Sequence, residues 1–206
     1  MNNNAINIPL SQWQHSSRHE IRFYRQRVQQ WLEGKKYAQI YLDPNSVLQE
    51  YLAKLLPSSG STASILDVGS GPLTTVNKTW PGVELSITAV DALADKYNQT
   101  MRKAGMAPLV QAQQGFGEDL CEMFEPDMFD ITHSVNAIDH TFDPVKVIEN
   151  MIALTRPGGY VVIQVNENEA DYSRGGLHNW NFYRQNDDLI MQQVNTETAT
   201  NIRSSF

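Results

Sequence analysis

Cysteine is almost missing from this chain: Cys121 is the one thiol among 206 residues. That excludes an intramolecular disulfide and a cysteine-rich zinc site. Long apolar runs are also missing. No stretch approaches the roughly 18 to 20 residues that span a bilayer, so no membrane association is expected. The opening MNNNAINIPLSQWQHSSRHE has no basic start followed by an apolar block. No signal peptide is therefore read, and a cytoplasmic setting is the expectation. Positive charge is scarce, with 16 Lys and Arg against 23 Asp and Glu and a net charge of −7. A non-specific nucleic-acid binder neutralises phosphates with Lys and Arg, so no nucleic-acid partner is expected. The one basic cluster (Arg18, Arg22, Arg25, Arg27, Lys35, Lys36) falls at helical spacing and reads as a solvated face. There is no P-loop and no G-x-S-x-G elbow.

What is present is a globular balance, 41% apolar and 19% charged, enough for one domain with a single core. No internal repeat occurs. Residues 1 to 15 are polar and Asn-rich and read as loose. Ile21, Tyr24, Val28, Trp31 and Leu32 recur at three- and four-residue steps, predicting a helix over 17–34 that stops at Gly34. DPNS opens a second helix over 44–56, with Val47, Leu48, Tyr51, Leu52 and Leu55 as its apolar face. PSSGSTA reads as a linker. From residue 64 strands and helices alternate. SILDVG, LSITAVD (85–91), PLVQAQQ (108–114), FDITHSV (129–135) and YVVIQVN (160–166) read as strands. Helical segments lie at 74–79, 94–104, 118–124 and 143–155, the last stopped by RPGGY. NDDLIMQQV (186–194) reads as one more helix, and 198–204 as a short strand. The expectation is an α/β, Rossmann-like, mainly parallel sheet of six strands, with a seventh left open. Helices should cover both faces through right-handed crossovers. A missing seventh strand would leave a sheet edge to be covered, which favours a homodimer.

In such a sheet, ligands bind beyond the carboxyl ends of the strands. Gly69 and Gly71 end the first strand, where missing side chains admit a close approach. Asp91 ends the next strand, and a carboxylate there can accept both hydrogen bonds of a ribose diol. A dinucleotide needs G-x-G-x-x-G. Here Gly-Ser-Gly runs into Pro72, Leu73 and Thr74, so the third glycine is missing, and Pro72 removes an amide donor. S-adenosylmethionine has no phosphates and does not require those donors. Asp67, just before the turn, could orient the loop or meet an ammonium group.

ILDVGSGPLT, AVDALADKYN, GFGEDL, FDITHSVNAIDHTFDP and RPGGYVVI together resemble the successive motifs of class I S-adenosylmethionine-dependent methyltransferases. More narrowly they resemble the bacterial branch labelled methyltransferase type 11. The resemblance covers roughly residues 60 to 170. It divides the chain into a helical extension or cap over 1–60 and a cofactor-binding domain over 61–206. It implies that Gly69, Ser70, Gly71 and Pro72 lie against the methionine and ribose part. Asp91 would hold the ribose hydroxyls, with Ala92 and Leu93 beside the adenine. Glu118 would meet the adenine amino group, with Phe116, Gly117 and Asp119 as neighbours; it also suits a helix N-terminus. Ser134 and Asn136 would line the methyl-donor region.

Methyl transfer is an in-line displacement, and the donor carries much of the driving force. An alcohol acceptor also needs a base, most often histidine near neutral pH. Asp139 and His140 fall just beyond the fourth strand. In several sugar O-methyltransferases a histidine at about this position is the proposed base, which makes His140 the first candidate. His178 is the second. It stands in NENEADYSRGGLHNWNFYR, where Trp180, Asn181 and Phe182 mix rings with amides in a way that suits a carbohydrate or other small polar acceptor. Gly175 and Gly176 suit a lid hinge. No metal is required by the spacing, although Asp139, Asn166 and Glu167 could supply hard oxygen ligands. His133, inside a strand, reads as packed. Tyr24 and Arg25 could reach the methionine carboxylate, or simply pack a cap. Two rival readings stay open. One is an NAD or nucleotide-sugar enzyme with an irregular glycine loop, and the other a non-catalytic methyltransferase-like subunit.

Overall fold

The computed structural model describes residues 10–34, 37–57, 61–173, 176–197 and 199–205. Residues 1–9 of the opening expected to be loose over 1–15, Lys35, Lys36, the middle of the PSSGSTA linker and Gly175, expected as a hinge, lie outside these residues, whereas 10–15 are helical. The core is a five-stranded parallel sheet in the order β3-β2-β1-β4-β5. Its strands are β1 (Ser61–Val68), β2 (Val83–Asp91), β3 (Gln113–Gln114), β4 (Phe129–Val135) and β5 (Thr155–Gln164). β1 pairs on one side with β2 and on the other with β4. The chain order therefore reverses beside β1, which opens a crevice over its carboxyl end.

Six of the seven residues of β4 are buried, as a central strand covered on both faces requires. One face carries Leu66, Val68, Val90 and Phe129 against Val147, Ile148, Met151 and Leu154 of α6 (Pro144–Leu154). On the other, Ile65 and Ile131 pack with Leu48, Leu52 and Val76. Asp143 caps α6 by accepting from the Lys146 amide at 3.1 Å, with Pro144 in the first turn. α4 (Ala94–Lys103) has Asp95 in its first turn and Arg102 and Lys103 in its last, matching the helix dipole.

The first helix, α1 (Leu10–Leu32), begins earlier than the apolar spacing predicts. Trp13 extends its inner face, which continues through Tyr24 and Val28, whereas Leu32 is exposed. α1 contacts α4 and lies over the crevice. A short α2 (Tyr37–Leu42) follows.

Several expected elements are corrected. The helix expected over 44–56 contracts to α3 (Glu50–Ala53), and no helix forms over 74–79. The two segments bind each other instead. The Leu48 amide donates to the Thr79 carbonyl, and the Lys78 and Thr79 amides both donate to the Ser46 carbonyl. Those backbone groups are thereby spent between segments. Of the strand expected over 108–114 only β3 pairs. α5 (Leu120–Met123), preceded by a 3-10 turn at Gly117–Asp119, occupies the expected 118–124 helix.

The central sheet has five strands where six or seven were expected, and among the described residues none pairs beyond β5. The tail instead forms a separate antiparallel sheet of β6 (Trp180–Gln185), β7 (Asp188–Gln193) and β8 (Ala199–Asn201). β7 overturns the helix expected over 186–194. Asn186 adopts φ +57°, which a right-handed helix forbids, and with Asp187 it makes a two-residue hairpin turn. Trp180, Phe182 and Met191 anchor this sheet in the main core. The strand expected over 198–204 ends at Asn201, and a 3-10 turn covers Ile202–Ser205. α7 (Glu169–Tyr172) bridges β5 and the small sheet. Among the described residues, no helix is long and apolar enough to cross a membrane.

Candidate active site

A cavity opens over the carboxyl ends of β1, β2 and β4, roofed by α1. Its wall includes Gly69, Gly71, Asp91, Ala92, Leu93, Gly117, Glu118, Ser134, Asn136 and His140.

The glycine turn is tight for reasons internal to the protein as well. Gly69 and Gly71 adopt φ +72° and +64°, a region that L side chains rarely enter. A Cβ on Gly69 would stand 2.2 Å from the Ala137 Cβ, and one on Gly71 would stand 3.0 Å from the Tyr24 hydroxyl. Gly69→Ala should therefore destabilise the fold by about 2 kcal/mol, from backbone strain plus overpacking. Urea unfolding checks this, and an unchanged midpoint would show that the turn is not packed this way.

Asp91 organises the turn. Its Oδ2 accepts from the Gly71 amide at 2.8 Å and its Oδ1 from the Leu93 amide at 2.7 Å. An ionised carboxylate has about four acceptor positions, so two remain for a diol. Burial pushes its pKa up to about 6, against the lowering effect of those two amides, while the charge of Asp67 adds to the rise. Glu118 is also raised by burial. Its Oε1 accepts from the Phe142 and Asp143 amides at 2.7 and 3.0 Å, so it holds the entry to α6 while standing on the cavity wall. Beside it, Trp13, Phe116 and Phe142 form an aromatic trio with centroids 5.2 to 5.7 Å apart.

At the other end lies a cluster formed by Asp139, His140 and His178. Asp139 and His140 sit in the 3-10 turn Ile138–His140 after β4, and His178 precedes β6. Asp139 Oδ2 is 2.6 Å from His178 Nδ1 and 3.5 Å from His140 Nε2, and the two imidazole nitrogens are 3.1 Å apart. Burial lowers the His140 pKa, more than the Asp139 charge raises it. Burial also pulls on His178, but its bond to Asp139 and the surrounding carboxylates leave that pKa above the ordinary value. The segments are cross-linked. The Asn179 amide donates to the Asp139 carbonyl at 2.9 Å, Trp180 Nε1 to the Thr141 carbonyl at 2.9 Å, and Trp13 Nε1 to the His140 carbonyl at 3.2 Å. Two sequence candidates 38 residues apart thus stand side by side.

Other candidates lie elsewhere. Asp67 is buried, with Oδ1 2.8 Å from His133 Nδ1 and Oδ2 accepting from Thr74 at 2.5 Å; His133 Nε2 meets the Tyr51 hydroxyl at 3.0 Å. Removing the carboxylate acceptor from this network, as in Asp67→Ala, should cost about 2 to 4 kcal/mol by leaving buried partners unpaired; thermal unfolding reads it directly. Ser70 and Pro72 line a second cavity on the far side of the turn, with Tyr24, Arg27 and Asn136. Arg27, rather than the exposed Arg25, is the arginine of α1 that faces it. The Ser134 hydroxyl, at the cavity wall, is committed to the Val68 carbonyl at 2.9 Å. Asp119 is absent from the cavity wall and stands ahead of α5. Trp180 and Phe182 are core anchors and do not form an acceptor platform. Asn181 donates to Asp171 at 2.7 Å. Asn166 and Glu167 are exposed, and Asn166 bonds Glu169.

Glu20 of α1 was missed. It lines the cavity, and burial pushes its pKa up to about 7, with His178 lowering it and Asp91 and Asp139 raising it further. The signal was its position one turn before Tyr24, on the helix face read as apolar.

This is the Rossmann-like α/β fold of class I methyltransferases, with a cleft at its switch point and a buried carboxylate, Asp91, at the end of β2. Residues 38–205 match a family described as a methyltransferase domain, and the chain belongs to that family. The residues present fit S-adenosylmethionine, the cofactor expected of such a domain: a half-satisfied Asp91 carboxylate at the turn and an apolar slot at Leu93 and Phe116. Among solved structures, the YcgJ protein from Bacillus subtilis is 23% identical with a TM-score of 0.43, over 59% of this chain and 52% of that one. An S-adenosylmethionine-dependent methyltransferase from Aquifex aeolicus is 13% identical with a TM-score of 0.44, over 70% and 73%. The methyltransferase CalH, in complex with S-adenosylhomocysteine, is 16% identical with a TM-score of 0.36, over 50% and 31%. The chain thus spans about half of the YcgJ chain and under a third of CalH. No curated protein sequence matches it.

Proposed function

We propose that the protein methylates a hydroxyl of a small polar acceptor, a sugar being the first class to try. The observation that carries this reading is His140, which stands on the wall of the same cavity as Asp91 and Glu118 and belongs to the Asp139–His178 cluster. The bound cofactor supplies a methyl group activated by a sulfonium. The chain supplies position and proton handling. Asp91 accepts from the ribose hydroxyls. The second Glu118 oxygen would accept from the adenine amino group, and Leu93 and Phe116 would hold the ring. Gly69 and Asn136, shared by both cavities, border the path of the methionine part. α1 excludes water through Trp13 and Tyr24. The histidine–aspartate cluster takes up the acceptor's proton.

The test is a coupled measurement of S-adenosylhomocysteine formation with sugar, phenol, amine and thiol panels. It is paired with calorimetric titration by S-adenosylhomocysteine and NAD. Turnover with a hydroxyl acceptor is expected. Binding of NAD alone would overturn the reading. Cofactor binding with turnover on amines or thiols only would refute the hydroxyl acceptor.

A further inference from the structure

We infer that Asp139, His140 and His178 form a binding site for one divalent transition-metal cation of the zinc or ferrous-iron class. Their three ligand atoms converge: Asp139 Oδ2, His140 Nε2 and His178 Nδ1 are separated by 2.6, 3.1 and 3.5 Å. A cation about 2.1 Å from each ligand holds neighbouring ligand atoms about 3.0 to 3.4 Å apart, the spacing of right-angled to tetrahedral geometry. Two edges already lie close to that range, and the third needs to open by roughly 0.4 Å.

Proton accounting points the same way. If His178 Nδ1 carries a proton, it goes to Asp139 at 2.6 Å, and His140 Nε2 then has either a lone pair with no donor beside it or a proton with only a long, 3.5 Å reach to Asp139. If His178 Nδ1 has no proton, its lone pair faces a carboxylate oxygen. One proton serves one edge of the triangle well. One cation serves all three corners.

The site is also preorganised. Asn179, Trp180 and Trp13 pin the backbone on both sides, through bonds to the carbonyls of Asp139, Thr141 and His140. A site whose supporting bonds are already made loses little freedom on binding. Glu169 adds negative charge around His178. Two imidazoles select a borderline transition metal over magnesium or calcium, which prefer all-oxygen sets. Three protein ligands leave at least one position open, and His140 places the site at the cavity.

The metal site stands on this geometry. Only its role rests on the methyl-transfer reading. An acceptor hydroxyl in the open position becomes more acidic and releases its proton to solvent. Its oxygen pair forms the bond to the methyl carbon, while the pair of the broken sulfur–carbon bond stays on sulfur. With the cation bound the imidazoles act as ligands; in the metal-free chain the same cluster takes up the acceptor's proton, and losing His140 lowers turnover in either state.

The test titrates the metal-stripped chain with Zn²⁺ by calorimetry and with Co²⁺ by visible absorbance, with Mg²⁺ for comparison. One Zn²⁺ per chain is expected, with affinity falling about 100-fold or more in both His178→Ala and Asp139→Asn. S-adenosylhomocysteine titration and circular dichroism of each variant show whether it is folded. The exposed His15–His19 pair on α1, with ring centroids 6.4 Å apart, is the rival site. The double variant His15→Ala/His19→Ala should bind Zn²⁺ as the parent does. Stoichiometric binding that survives His178→Ala, or that disappears with His15 and His19, overturns the site. So does an absence of Zn²⁺ binding, or binding of Mg²⁺ in preference. If Zn²⁺ binds through the three residues but S-adenosylhomocysteine does not bind, the metal site stands and the methyl-transfer reading fails.

Discussion

His140→Ala should lower turnover by about 100-fold or more, the usual worth of a positioned proton acceptor, while S-adenosylhomocysteine affinity stays within roughly threefold. The two halves of that expectation come from different parts of the cavity. On the proposed reading, ribose and adenine contacts would come from the turn after β1, from Asp91 and from the segment around Glu118. None of these leans on the His140 side chain, whose bond is to His178 at 3.1 Å. The backbone around it is held by other groups, the His140 carbonyl by Trp13 and the Thr141 carbonyl by Trp180, so the turn should survive truncation of the ring. The loss should appear in kcat, because the proton is handled in the transition state. Steady-state kinetics with the best acceptor, beside a calorimetric affinity, separates the two. Retained turnover would make His140 a packing residue. A matching loss of cofactor affinity would mean that the ring supports the cavity wall instead of the chemistry.

The parallel sheet was legible because its signals are local. A strand buried on both faces tends to read as an apolar run, as Ile65, Leu66 and Val68 do around Asp67; FDITHSV keeps Phe129, Ile131 and Val135, while its polar Asp130, Thr132, His133 and Ser134 are buried through hydrogen bonds. The place of Asp91 on the cavity wall was legible for the same reason: strand, glycine turn, strand and acid follow in order. What could not be read depends on which backbone groups meet. Pro44 and the apolar residues after it predict a helix, and nothing in DPNSVLQEY announces that Ser46 will accept from Lys78 and Thr79. The tail was misread because LIMQQV suits a helix as well as a strand. The deciding residue is Asn186, whose left-handed conformation turns the chain back, and Asn-Asp before an apolar run was an available hairpin signal. In the site, Asp139, His140 and His178 could each be chosen by residue type, yet their convergence required the hairpin to bring His178 back to the end of β4. Glu20 was hidden by its neighbours. A carboxylate among Ile21, Tyr24 and Val28 looks like the polar flank of an amphipathic helix until the helix is laid over a cavity.

Asp91→Ala should weaken S-adenosylhomocysteine binding by about 3 kcal/mol, roughly 100-fold, the worth of two hydrogen bonds to a charged acceptor partly offset by relaxation. The wild-type affinity should also depend on pH with a sign that the environment dictates. Asp91 titrates at about 6 in the folded protein and 3.8 is its ordinary value. A carboxyl raised on folding favours its protonated form, so its contribution to the stability of the ligand-free protein is fully present below about 3.8 and is lost as pH rises through about 6. A ribose diol donating two hydrogen bonds favours the ionised form and reverses that preference. Affinity should therefore rise about tenfold between pH 5 and pH 7, as the ligand-free carboxyl ionises without help. The groups facing Asp91 are Asp67 on β1, Glu20 and Tyr24 on α1, and Tyr97 on α4. Of these, Glu20, at about 7, is the one that could imitate the effect. Asp91→Asn should flatten the profile between pH 5 and pH 7, and Glu20→Gln should leave it sloped. The opposite pattern, a slope that survives Asp91→Asn and vanishes in Glu20→Gln, would move the ionisation that governs cofactor binding from the end of β2 to α1. The helix would then be a working wall of the cofactor site, reading the ligand's charge in place of its ribose.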